Sequence, residues 1–170
     1  MGNAVVKFMR IDTRMVHGQI ITKWASAKQC RLIIIVDKNL NADPFMSNFY
    51  KKAAQKGVKI DVTDPEKATR DWDAGNFGPD GRNVMVVFKD VQNVYDLYKC
   101  GFKGWPEDGV DVGNQVAAHG KVQLDRDVFL SEEEMKMLAE VNDGGIPVYM
   151  QLIPEQAATD FAGMKRAFGM

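Results

Sequence analysis

The feature that most constrains this chain is an alternation. Four times in its first hundred residues, a short run rich in β-branched residues gives way to a stretch with helical spacing. VVKFM precedes such a stretch over residues 20–28, LIIIV over 45–55, KIDV over 66–72 and NVMVVF over 91–98. Apolar runs recurring in this way predict strands buried on both faces, which is the pattern of a parallel sheet covered by helices. Right-handed crossovers then fix how the units are joined. The expected fold is a single α/β domain over residues 1–170, with a central, mostly parallel sheet and helices on both faces.

The element boundaries carry their own marks. Asp43-Pro44 and Asp64-Pro65 each put an acid at an N-cap before a proline at the first helical position, and Gly57 and Gly101 stand where C-terminal caps belong. In the last third, VDVGN and the segment around GKVQL read as extra strands. Ser131 and Glu134 form a capping box ahead of Met135, Leu138 and Ala139. VYMQLI predicts one more strand, and Phe161, Met164 and Phe168 share a face of a final helix. The glycine-rich segments DAGNFGPDG and GFKGWPEDG read as turns rather than linkers.

Charge and composition narrow the function. Lys plus Arg total 22 against 23 Asp plus Glu, so no bulk field draws the chain to nucleic acid or to an anionic membrane. Any anion site must be local. Cys30 and Cys100 follow no metal-ligand spacing and are expected to pack in a core under reducing conditions. Two histidines without a zinc-binding spacing predict no metal, and no diffusible cofactor is implied. The familiar nucleotide-binding glycine loops and the hydrolase G-x-S-x-G elbow are absent. No run approaches the roughly 18 apolar residues of a membrane span and no signal peptide opens the chain, so a cytoplasmic protein without membrane insertion is expected.

One stretch concentrates chemistry at the first strand-to-helix turn: RIDTRMVHGQ, residues 10–19. His17 stands where the first helix begins, in the crevice outside the strand ends where ligands of open α/β sheets bind. A helix start supplies unpaired N–H groups and a positive dipole end, both suited to an anion. Arg14 can offer paired hydrogen bonds to phosphate oxygens, and Gly18 lets the backbone at residues 16–18, including Val16, approach closely. Asp12 is assigned to holding an arginine, a loop amide or an imidazole N–H. Residue types alone leave two uses open for Arg10 and Arg14, phosphate binding or pairing with Asp12 and neighbouring acids. Lys89 and Asn114 also stand at strand ends and could border the crevice, while Asp90 serves equally as an N-cap. His119 is expected on a solvated loop, and Trp24 in the core by its spacing from Ile20 and Ile21. Met15 and Val16 either expose apolar surface to a partner or pack beneath the loop.

The stretch RIDTRMVHGQ followed by TKW closely resembles a long motif of the IIB component of the mannose/fructose/sorbose-family, phosphoenolpyruvate-dependent sugar phosphotransferase system. The resemblance extends through Asp43-Pro44, Val112-Gly113-Asn114 and Gly120-Lys121 to the late helix-strand-helix. It implies that His17 accepts a phosphoryl group from a phosphorylated IIA component and passes it to a sugar held by the membrane IIC and IID components, with Arg14 binding the phosphoryl group. The implied location is peripheral to the transporter at the cytoplasmic side. Phosphohistidine transfer agrees with the chemistry of the residues, because imidazole is a covalent nucleophile and phosphoryl transfer depends on positioned donors. A non-transporting regulatory or binding module with a phosphorylatable His17 is the alternative. Two departures from the family pattern stand out: Lys38-Asn39 replaces an Asp-Glu pair, and Thr13 replaces an acid.

Overall fold

The computed structural model describes residues 2–16, 18–78 and 82–170, with the side chains of residues 19–22 left aside. His17 and the Pro79–Asp80–Gly81 part of the DAGNFGPDG turn therefore lie outside the described residues, as do the side chains of Ile20 and Ile21. In chain order the elements are β1 Val5–Asp12, α1 Gly18–Ala27, β2 Leu32–Val36, α2 Lys38–Asn41, α3 Pro44–Lys52, β3 Lys59–Thr63, α4 Pro65–Asp73 and β4 Asn83–Phe88. There follow α5 Val91–Lys99, β5 Val110–Asn114, β6 Val122–Asp125, β7 Val128–Leu130, α6 Glu132–Asp143, β8 Val148–Met150, β9 Thr159–Asp160 and α7 Phe161–Phe168.

The main sheet has the order β3-β2-β4-β1-β5-β8-β9. Every pairing in it is parallel except the last, β8 with β9. β6 and β7 form a separate antiparallel pair beside it. Strand residues alternate between two cores: Leu32, Ile34 and Val36 join one, Ile33 and Ile35 the other, and all five residues of β2 are buried. Each fully buried Ile or Val stabilises the fold by about 2 kcal/mol, so the central strands anchor both layers. α1 (Trp24, Ala25), α2 (Leu40) and α3 (Met46, Tyr50) cover one face. α4 (Ala68), α5 (Val94, Leu97), α6 (Met135, Leu138) and α7 (Phe161, Met164) cover the other.

Two features of this topology build the site. First, β1 and β4 are neighbours, yet the helices that follow them, α1 and α5, lie on opposite faces, and that divergence opens a crevice at their carboxyl ends. Second, the pairing of β1 with β4 shifts register between Val6 and Phe8. Such a bulge breaks the period of two, so Val6 faces one core while Phe8 faces the other. Arg10 and Asp12 continue on the Phe8 side, under α1.

The caps follow the expected chemistry. Asp43, Asp64 and Asp90 accept from the third helical N–H of α3, α4 and α5, and Ser131 with Glu134 closes the capping box of α6. Several expectations need correction. α3 ends at Lys52 with Ala53 as its cap, so Gly57 does not cap it and instead supplies a left-handed residue (φ 84°) in the following turn. VYMQLI pairs only over Val148–Met150, because the carbonyls of Gln151 and Leu152 are taken by the Arg10 guanidinium at 2.8 and 3.0 Å. Cys30 is buried as expected, but Cys100 is exposed at the C-cap of α5. The single-turn α2, the short β7 and the two-residue β9 have no counterpart in the sequence reading. No described helix is long and apolar enough to cross a membrane.

Candidate functional site

The site is built on a chain of alternating charges that starts deep in the sheet and ends at the loop before His17. Asp111 of β5 accepts Arg10 Nη1 at 2.6 Å and the Gln151 N–H at 2.8 Å. Arg10, fully buried, then donates from Nε to Asp12 Oδ2 at 3.3 Å. Asp12, also fully buried, grips Arg14 by a fork: Nε to Oδ1 at 3.0 Å and Nη2 to Oδ2 at 2.9 Å. The Arg14 backbone N–H completes the turn on Oδ1 at 2.9 Å. A fork of this kind fixes the plane of a guanidinium, and charge-assisted bonds are roughly twice as strong as neutral ones. Asp12 uses Nε and Nη2, and Nη1 has no partner among the described residues. Arg14 thus presents a planar, oriented donor edge on a side chain that is 31% exposed.

The electrostatics run the same way. Hydrogen bonding to Asp12 raises the Arg14 pKa further, with the charges of Asp12 and Asp127 adding and burial opposing. Burial pushes Asp111 up to about 7, with the Asp12 charge adding and Arg10 and the Gln151 N–H pulling it down. Arg10 also lies over Trp24, 5.2 Å from its ring centroid, and Trp24 stacks on Phe8 at 4.6 Å. The tryptophan is core, as its spacing predicts, and it roofs the buried arginine.

The loop itself is held in a demanding conformation. Met15 has φ 57° with its side chain buried, and Gly18 has φ 72° with open space where a Cβ would stand. A left-handed non-glycine costs of order 1 kcal/mol and persists only where the surroundings fix it. Here the Asp12–Arg14 turn and the seat of Met15 in the core fix it on one side of His17, while glycine relieves it on the other. Met15 therefore packs beneath the loop, while Val16 is half-buried. Arg14, Val16 and Gly18 line one cleft where the turn enters α1; His17 itself lies outside the described residues.

The remaining expectations resolve individually. Arg10 is brought to the site as the buried support of Asp12 rather than as a phosphate ligand. Asn114 stands beside Asp12 in the sheet register, and its buried Oδ1 has no partner among the described residues. The Lys89 side chain is exposed, and its carbonyl accepts from Gln115 Nε2 at 2.9 Å. Asp90 is the N-cap of α5, and His119 is exposed on the loop before β6. No cluster able to hold a metal ion occurs among the described residues.

Two residues were missed from sequence. Gln115, buried at 2% exposure, donates from Nε2 to Thr13 Oγ1, Lys89 O and Asn114 O, which ties the ends of β1, β4 and β5 together. Asp111 has a readable signal, since an acid inside an apolar strand needs a buried partner. Gln115 has none locally, because its partners Thr13 and Lys89 are 102 and 26 positions away.

A doubly wound sheet with an oriented guanidinium at the first strand-to-helix turn defines an α/β domain with a cationic donor edge at the carboxyl ends of its strands. The model of the sorbose-subfamily IIB component of the sugar phosphotransferase system matches residues 6–167, and the chain belongs to that family. It is 25% identical over 166 residues to a sorbose-specific EIIB component of Lacticaseibacillus casei, covering 97% of this chain and 98% of that protein. Among solved structures, manxB of Thermoanaerobacter tengcongensis superposes with a TM-score of 0.85 at 27% identity, covering 98% of both chains. The IIBSor domain of the Klebsiella pneumoniae sorbose permease shares the fold, with a TM-score of 0.83 at 22% identity and 98% of both chains covered. IIB components are the phosphotransferase domains of sugar uptake systems, and this chain is one of them.

Proposed function

We propose that the protein is a phosphocarrier in which His17 receives a phosphoryl group from a phosphohistidine of a IIA partner and passes it to a sugar presented by IIC and IID membrane partners. One observation supports the reading: the Asp12–Arg14 fork fixes an oriented guanidinium in the turn between β1 and the N-terminus of α1, the segment of the chain to which His17 belongs. The membership of the chain in the IIB family supports it.

The chemistry balances without a metal or cofactor. A neutral imidazole nitrogen of His17 attacks phosphorus, a new N–P bond forms, and the donor histidine keeps the electron pair of the old one. In the second transfer a sugar hydroxyl attacks phosphorus, its proton passes to solvent or a nearby base, and the imidazole leaves neutral. The three equatorial oxygens carry the charge in both steps, and fixed donors aimed at them supply most of the catalysis available to such a site. Arg14 and the backbone N–H groups at residues 16–18 are those donors.

The deciding experiment mixes the protein with phosphoenolpyruvate, the general phosphotransferase proteins and the IIA component of its own system. Acid-labile labelling of the wild type and none of His17→Ala is the expected result. Sugar phosphorylation upon adding membranes with IIC and IID completes the relay. Label that appears but never leaves for sugar would instead indicate a regulatory module.

A further inference from the structure

A cleft of about 620 Å³ leads away from the reactive loop between α1 and α3. Its mouth is formed by Thr13, Arg14, Val16 and Gly18. Small residues, Ala25 and Ser26 on α1 and Ala53 at the C-cap of α3, leave the gap open, and Ile33 with Ile60 forms its apolar floor. Phe49 and Tyr50 wall the α3 side. Phe49 is 59% exposed and Phe45, one helical turn earlier, is 78% exposed, which makes α3 a helix with aromatic rings turned to solvent. Exposed rings contiguous with an apolar cleft mark an interaction surface. The charge on it has one sign: Arg14 and Lys56 are the charged side chains among the described lining residues, and Lys51 and Lys52 close α3 just before Ala53.

We propose that this cleft is the docking groove for the phosphorylated donor protein, which seats an apolar side chain against Phe49 while its phosphoryl group lies along the cationic side formed by Arg14 and Lys56. This rests on the phosphocarrier reading and names the surface that serves it. Charge complementarity selects the donor. It arrives carrying a doubly negative phosphoryl group, whereas the sugar acceptor is neutral until it has reacted. A cationic rim speeds the encounter and an anchored aromatic sets the lifetime of the complex. The groove also begins at the loop that must face the incoming phosphorus, so docking and in-line approach share one geometry.

The test uses two surface variants outside the transfer machinery, Phe49→Ser and Lys56→Glu, each checked for an unchanged unfolding midpoint. Binding of the phosphorylated IIA protein to the full chain is followed by calorimetry on a His17→Ala background, and labelling of His17 is followed against donor concentration. Each variant is expected to weaken binding and raise the donor KM about tenfold while the limiting rate stays within about twofold of wild type. Lys56→Glu should also flatten the dependence of KM on salt. An unchanged KM and affinity in both variants overturns the groove and leaves the phosphocarrier reading standing. Binding lost in the variants, with a wild type that binds the donor but is never labelled, upholds the groove and removes the phosphocarrier reading. Failure of the wild type to bind the donor overturns the proposal, and so do variants that lose binding only to anionic phosphatidylglycerol vesicles or only self-association.

Discussion

The guanidinium of Arg10 occupies the space that a side chain on Gly113 would need: a Cβ there would overlap Cζ and both terminal nitrogens. The relationship explains why glycine stands inside β5 although it weakens a strand interior. Arg10 must cross that surface to reach Asp111 on one side and the Gln151 and Leu152 carbonyls beyond it. Gly113→Ala should therefore expel the arginine, leave Asp111 without its cation and Asp12 with Arg14 alone, and lower stability by about 3 kcal/mol or more, since breaking a buried pair costs about 3–5 kcal/mol. Urea unfolding checks it. A loss under about 1 kcal/mol would mean that Arg10 has another resting place.

Arg14 tests function separately from stability. Its side chain is partly exposed and a lysine keeps a cation on the buried Asp12, so Arg14→Lys should cost only about 1 kcal/mol of stability. A lysine offers a point charge without the planar edge, and the oriented donor is lost. The labelling rate of His17 should fall about a hundredfold, the scale of removing one positioned donor from a transition state. Asp12→Asn should slow labelling as well, but with a large loss of stability, because it leaves Arg10 buried with one of its carboxylates gone.

The extent to which this could be read from sequence follows from the range of the interactions. The β1 to β4 strands and the helices α1, α3 and α4 between them were legible because their periodicity is local, and so were the N-caps of α3, α4 and α6, which are set by residues three apart. The reactive turn was legible as a motif, and the residue types placed Arg14 and Asp12 in it without deciding between phosphate binding and mutual pairing. The fork shows the pairing with Asp12, and it leaves Nη1 of Arg14 without a partner among the described residues. What escaped is non-local. β8 stops at Met150 because a buried arginine from β1 takes the next two carbonyls, and Gln115 joins three strand ends that are far apart in the chain. The exposure of Cys100 escaped for the same reason, since it depends on what packs beyond the end of α5.

Asp111 yields a pH dependence whose sign can be worked out. Its folded pKa is raised by burial from 3.8 to about 7, so the folded state holds a proton that the unfolded state has released across that window. The stability it contributes is complete below the unfolded value and declines as pH rises through the folded one, with a slope of at most about 1.4 kcal/mol per pH unit. Relative to Asp111→Asn, which does not titrate, the wild type should lose stability between those two pH values. Paired denaturation curves across the window measure this. A wild type that instead gains on the variant as pH rises would show that the Arg10 pair outweighs desolvation.

The two cysteines should separate by rate. Cys30 is buried on the floor side of the cleft with its Sγ directed at the Lys28 carbonyl at 3.6 Å, and burial lifts its pKa to about 11 against the opposing pull of Lys7 and Lys28. At neutral pH about one molecule in ten thousand then carries the reactive thiolate. Burial also raises Cys100, with the charges of Glu66, Asp96 and Asp64 adding, but this thiol is exposed and reagent reaches it. Iodoacetamide followed by peptide mass spectrometry should find Cys100 modified in the folded protein and Cys30 modified only as the chain unfolds in urea. Equal labelling of both without denaturant would mean that α1 opens over the cleft in the native state, and the wall that Ala25 and Ser26 give the groove would then be transient.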